Sequence, residues 1–354
     1  MATTSFPTNH PLAVKLWSKK LFVDALKATW FDKFMGESSS SLIQVKSELN
    51  KSAGDKITYG LRMQLSGVGI LGDGTLEGNE EALTTYSDSV LIDQLRHAVR
   101  SAGKMSEQRI PFSVREEARQ GLQDWWSDRL DTAIMNHLAG NTAQTGLEYV
   151  GANATVAADS AHRLWPAHFT IGNESISTTD TLALTMIDAA VEKAKLASPQ
   201  IRPVSVGGND YYVMFIHPIN TYALRTSAAT TGSWFDIQKA AITGGQIESN
   251  PIFTGALGIY NGVILHESTR VPLLSNSSNV AVASSRQCVL AGAQALSFAY
   301  GRNSSGGEMS WVEEVFDYGN QLGVSAGLTF GTKKNRFNSA DFGTIAISTY
   351  AAAH

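Results

Sequence analysis

Apolar residues at Val114, Ala118, Leu122, Trp125, Trp126, Ala133, Ile134 and Leu138 recur every three or four positions, which predicts one long amphipathic helix. Pro111 precedes it, and Ser113 with Glu116 three residues on has the form of a capping box. Gly140 is placed to close the helix in the left-handed conformation. Its length is roughly 27 residues, or about 40 Å at 1.5 Å per residue. A second helical pattern, "TLALTMIDAAVEKAKLA", stops before Pro199. "YYVMFIHP" reads as a buried strand leading into a short helix from Pro218.

Elsewhere the period is two. Leu322, Val324, Ala326, Leu328 and Phe330 alternate with small or polar residues, as in a half-buried strand, and "FGTIAISTY" adds another. "GDKITYGLRMQL" and "TTYSDSVLIDQL" read as the two strands of a long hairpin over residues 54 to 96. Between Pro11 and Met35, Leu12, Leu16, Trp17, Leu21, Leu26, Trp30 and Phe34 form an apolar stripe beside several lysines. Such a stripe packs on the chain's own core or docks on another subunit. The order of helices and strands is too irregular for a doubly wound sheet and contains no tandem repeat, so the expected class is α+β.

Composition narrows the reading. Charged residues are 17% of the 354, below the roughly 25% usual for soluble domains, so much of the surface is expected to be covered by partners. A formal net charge of -4 gives no electrostatic reason to expect nucleic-acid binding. The single Cys288 has no disulfide or thiolate-cluster partner and suits a reducing, intracellular setting. No secretory signal or membrane-length apolar run is evident, so a soluble chain is expected.

The candidate chemical motifs are incomplete. Gly67, Gly69 and Gly72 have the G-x-G-x-x-G spacing, but a dinucleotide site needs a following helix to hold the pyrophosphate. Here Asp73, Glu77, Glu80 and Glu81 follow, and would repel it. Asp73, Thr75, Glu77 and Gly78 imitate a calcium loop, but position twelve is Thr84 where a bidentate glutamate is needed. Gly323, Ser325 and Gly327 spell a nucleophile elbow inside a strand pattern. The eight histidines are scattered and form no zinc pair. No cofactor, metal or catalytic residue is expected.

The order of several segments resembles the major capsid proteins of tailed bacteriophages, specifically the family typified by the coat of N-four-like phages. The resemblance covers most of the chain and is carried by "AVKLWSKKLF", "GDKITYGLRMQLSGVGILGDGTLEGNEEAL", "VLIDQLRHAVRSAGKMSEQRIPF", "WWSDRLDTAIMNHLAG", "YYVMFIHPINTYALR", "NPIFTGALGIYNGVILHES" and "LAGAQALSFAYGR". It implies the Hong Kong 97-type coat fold. That division would give an N-terminal arm over 1–53, an extended loop with its return segment over 54–110, and a peripheral domain beginning with a spine helix over 111–179. An axial domain over 180–300 and peripheral C-terminal strands over 301–354 would complete it.

The resemblance also implies hexamers and pentamers in an icosahedral virion shell around double-stranded DNA. Contact with that DNA would be weak and non-specific. Portal, scaffold and possible decoration proteins would be its other partners, and the host bacterial cytoplasm the place of assembly. An encapsulin-like compartment of the same fold is the alternative, and a nucleotide-binding enzyme a remote one. Gly67, Gly69, Gly72, Asp73, Glu77, Gly78, Glu80 and Glu81 are expected to dock on a neighbour's basic arm or spine region, with Lys15, Lys19, Lys20, Arg96, Arg100 and Arg109 as receiving candidates. Some coats of this fold carry Lys to Asn crosslinks, but no motif here matches them, so noncovalent assembly is expected.

Overall fold

The computed structural model describes residues 24–25, 29–48, 54–62, 65, 67–111, 113–169, 172–206, 208–226, 256–301 and 309–353. In chain order its main elements begin with β1 (Ile43–Lys46), β2 (Lys56–Arg62), β3 (Thr85–Leu91) and β4 (Asp93–Arg100). Then come α1 (Val114–Ala139), α2 (Leu184–Leu196), β5 (Asn209–Ile216) and α3 (Pro218–Thr226). The remainder is strand: β6 (Ala256–Tyr260), β7 (Val263–Glu267), β8 (Ser285–Ala291), β9 (Leu296–Tyr300), β10 (Met309–Phe316), β11 (Gln321–Lys334) and β12 (Thr344–Tyr350).

These strands make two larger sheets. In one, the order β1, β9, β11, β10 is extended by Met35–Gly36 beside β1, and β4 joins along β11. In the other, the order is β12, β8, β5, β7, β6, with Arg163–Leu164 beside β12 and Val204–Val206 on β5. The segment expected as peripheral C-terminal strands, 301–354, therefore contributes β10 and β11 to the first sheet and β12 to the second. β9, within the expected axial segment, lies in the first sheet with β11.

α1 is the predicted spine, 26 residues long, and Gly140 ends it at φ 67° with its N–H directed to the carbonyls of Asn136 and His137. The expected capping box is not formed: the Ser113 side chain bonds no helix N–H, and its backbone carbonyl accepts from Glu116 and Glu117 instead. Ser113 is exposed, so water can satisfy the hydroxyl. Leu122, Trp126, Leu130, Ile134 and Leu138 pack with Phe298, Trp311, Phe330 and Phe215 in the larger core. Ala25, Phe31 and Phe34 belong to the same core with Trp30 against it, so this end of the N-terminal stripe packs on its own chain.

A smaller core lies on the other side of the second sheet. Ile187, Ala190, Val191 and Ala194 of α2 cover Met214, Ile216, Leu265, Leu290, Ile345 and Ile347. β5 sends Val213 and Phe215 to the first core and Tyr212, Met214 and Ile216 to the second, which explains its unbroken apolar run.

β11 departs from the expected half-buried alternation, because both its faces are covered. Val324, Ala326, Leu328 and Phe330 enter the core. Gly323 lies under the Phe316 ring, Gly327 under the Arg96 stem and Gly331 under the main chain of Leu91. The glycines leave room on this face for side chains of the adjoining strands β10 and β4 and for the crossing main chain of β3.

Candidate assembly surface

β2 and β3 pair antiparallel from Lys56↔Leu91 to Arg62↔Thr85, a ladder of seven residues, about 24 Å at 3.4 Å per residue. The return strand is shorter than its sequence pattern, because the chain changes partners at Ile92: β3 pairs with β2, and β4 pairs with β11. Ile92 donates its N–H to the Asp55 carbonyl at 2.9 Å, and its side chain reaches Gly301, where a β-carbon would stand 2.6 Å from Cδ1.

The hairpin base is anchored by apolar contact and by polar bonds. Ile57 and Val90 are buried with Ala299. The Asn153 carboxamide acts as a strand partner for Leu91, accepting its N–H at 3.0 Å and donating to its carbonyl at 2.8 Å. Tyr59 and Asp88 face each other across the ladder, and both bond to the chain that ends β11. Burial, followed by the negative charge of Asp88, pushes the Tyr59 phenol well above its ordinary pKa.

Beyond the paired strands, described residues 65 and 67–84 form an irregular loop, and a strand follows it. The dinucleotide reading thus lacks its helix. Gly69, Gly72 and Gly78 have φ of 72°, 59° and 87°, with open space where their β-carbons would be, so backbone conformation is what favours glycine there. The Glu81 Oε2 accepts the Gly67 N–H at 2.7 Å and ties the two legs together. Glu80 accepts the Gly78 N–H at 2.7 Å, and Asn79 Nδ2 donates to the Thr75 carbonyl at 3.0 Å. Among the described residues no cluster of three acidic, histidine or cysteine side chains could hold a metal.

Sequence reasoning singled out the loop's glycines and acids but missed its apolar side chains. Val68 is 103% exposed and Leu71 94%, with Leu65, Ile70, Leu76 and Leu83 exposed as well. The signal was present, since these residues interleave with Asp73, Glu77, Glu80 and Glu81. Its meaning depended on knowing that they stand exposed in the folded chain. Large apolar side chains gathered on one projecting loop are what a partner surface covers.

The receiving candidates divide. Arg96 and Arg100 share the outer face of β4, while Leu95 and Val99 turn to the core and His97 stacks on Trp125 at 4.5 Å. The Arg100 guanidinium lies 4.2 Å from the Phe316 ring centre and bonds to Gln321. Arg109 stands apart, at the end of a short helix Lys104–Gln108. Lys15, Lys19 and Lys20 lie outside the described residues. Two neighbouring cations are already engaged within the chain: Arg115 pairs with Glu313 at 2.7 Å and Arg119 with Asp24 at 2.8 Å. Ser325, of the nucleophile-elbow spacing, sits inside β11 and donates to the Val312 carbonyl at 3.3 Å.

A family model described as phage capsid protein matches residues 5–353. The major capsid protein of Pseudomonas phage KPP25 is 30% identical over 372 residues, spanning 96% of this chain and 94% of that protein. The capsid of Ralstonia phage GP4 is 34% identical, with a TM-score of 0.80 over 99% of each chain. The capsid of cyanophage Pam1 shares the fold, with a TM-score of 0.71 over the whole of each chain at 23% identity.

Proposed function

The chain belongs to the phage capsid protein family and is a phage major capsid protein with the Hong Kong 97-like fold, and from that premise we propose how its surfaces build the shell. The loop over 65–84 is the subunit's reach to its neighbour. Gly67, Gly69, Gly72 and Gly78 shape it, Val68 and Leu71 supply apolar contact, and Asp73, Glu77, Glu80 and Glu81 meet basic residues of the next copy, with Arg96, Arg100 and Arg109 as the described candidates.

The observation that carries this reading is a projecting loop with six large apolar side chains left exposed by its own chain. Apolar contact supplies affinity, while the acidic charges set register and exclude wrong partners. Contacts of this head-to-tail kind close into rings, and each copy held by several others makes the closed shell far more stable than one interface would.

Within this proposal residues 1–53 form the arm, 54–110 the hairpin and return segment, and 111–179 the first peripheral part. Residues 180–300 form the axial part and 301–354 the closing strands, with β12 serving the axial sheet. Hexamers and pentamers, made in the host cytoplasm without a catalytic step, then enclose double-stranded DNA by weak non-specific contact. Portal, scaffold and decoration proteins complete the head.

Electron microscopy and sedimentation of a variant with Glu77, Glu80 and Glu81 all changed to Lys test the loop's role. Loss or derangement of shells is expected, and normal shells would remove the contact from the mechanism.

A further inference from the structure

The hairpin is a lever, and its direction depends on how its base is fixed. In the cross-strand pair Tyr59–Asp88, both side chains bond to the body of the chain. Asp88 Oδ2 accepts the Arg336 N–H at 3.0 Å and lies 3.4 Å from the Tyr59 hydroxyl. Its Oδ1 accepts the Ser89 N–H at 2.7 Å and an ammonium hydrogen from Lys333. Tyr59 donates its hydroxyl to Asn335 Oδ1 at 2.7 Å, and Asn335 in turn donates to the Gln294 carbonyl at 2.8 Å. The Tyr59 ring stands edge-on to Phe337 at 6.1 Å, with the Lys46 ammonium 5.3 Å from its centre.

One carboxylate thus gathers donors from β3 itself, from Lys333 at the end of β11 and from Arg336 just beyond it. The Asp88 side chain is only 9% exposed and that of Lys333 24%, so these charge-assisted bonds are poorly screened and hold direction well. The apolar contact of Ile57 and Val90 with Ala299 lies two pairs closer to the base. Greasy contacts tolerate rotation, whereas converging hydrogen bonds do not. Outward of Tyr59 and Asp88, three further pairs of the ladder lead to the loop, about 10 Å at 3.4 Å per residue. A small rotation at this pair is therefore magnified at Val68 and Leu71.

We propose that Tyr59 and Asp88, bolted to Lys333, Asn335 and Arg336, are positioning residues that aim the hairpin and so determine whether copies close into one shell geometry. This rests on the loop being the contact with the neighbouring subunit. The pair touches no partner itself and acts through the hairpin's angle.

The test compares Asp88→Asn and Tyr59→Phe with the parent full-length chain, under conditions in which the parent forms shells. Hydrogen exchange should show β2 and β3 amides losing at least tenfold of their protection in Asp88→Asn, while α1 amides keep theirs. The expected assembly result is a tenfold or greater fall in closed shells, or a broad spread of diameters where the parent gives one. Tyr59→Phe should shift the same readouts less. A purely stabilising role would alter melting without altering diameter. Parental yield and diameter in Asp88→Asn, with the hairpin loosened, would overturn the proposal. If Asp88→Asn fails to fold, Tyr59→Phe decides by the same criterion. The triple lysine variant separates the premises: its failure beside normal shells from Asp88→Asn overturns only the positioning role. Normal shells from the triple variant overturn the contact itself.

Discussion

The main-chain carbonyl oxygen of Leu91 sits over Gly331, in the space a β-carbon there would occupy. The hairpin base crosses β11 at that point, and the crossing needs a residue with no side chain. Gly331→Ala should force the two strands apart and cost about 1–3 kcal/mol, as overpacking does. Gly121, in the middle of α1, has nothing within 4 Å of its β-carbon position, so Gly121→Ala should stabilise by about 0.5–1 kcal/mol. Urea unfolding of the two variants should give opposite signs.

The loop's apolar side chains make a different kind of prediction. Val68 and Leu71 are exposed, so changing both to Ser should leave unfolding within about 0.5 kcal/mol of the parent. Shell formation, followed by sedimentation, should nonetheless fall sharply. Unchanged assembly would show that these side chains are not buried between subunits.

Lys334 and Asp341 form a buried ion pair at 2.6 Å, with Arg336 Nε 2.9 Å from the other carboxylate oxygen. Burial pulls the Lys334 ammonium below its ordinary pKa. Removing one partner leaves an uncompensated buried charge, so Asp341→Ala should cost about 3–5 kcal/mol. Lys334→Met, which leaves Asp341 beside Arg336, should cost less in the same denaturation experiment.

His137 is fully buried near the end of α1, with Nε2 2.8 Å from the Val150 carbonyl. Burial pushes its pKa down to about 4, against 6.5 when unfolded. The unfolded chain therefore takes up the proton first, so the stability due to neutral His137 is full above pH 6.5 and is lost as pH falls toward 4. Melting temperatures measured from pH 7 to 4 should fall less steeply in His137→Gln, whatever its starting stability.

Asp131 of α1 acts in the opposite sense. It accepts the Trp30 and Phe31 N–H groups at 3.1 and 3.3 Å, and burial raises its pKa to about 6. The folded chain holds this proton more tightly than the unfolded one, so its contribution is present below pH 3.8 and lost as pH rises through 6. Asp131→Asn should remove that component, and the slope of stability against pH between 4 and 6 should become more positive than in the parent.

Local pattern was enough for the elements. The three-to-four spacing from Val114 to Leu138 determined α1, Gly140 its end, and the turn-rich stretch after Arg62 the interruption between two paired strands, because each depends on residues close in sequence. The resemblance, carried by segment order, led to the coat fold. Tertiary structure alone decided the rest. That Ile92 divides the return strand, that β12 joins the sheet of β8 and β5, and that Gly331 lies beneath the main chain of Leu91 all follow from contacts between distant segments. The pairing of Arg115 with Glu313 and of Arg119 with Asp24 likewise joins residues far apart in sequence. Val68 and Leu71 could have been core residues by composition. They became candidate contact residues because they stand exposed in the fold, and burial is a property of the whole arrangement rather than of a residue's type.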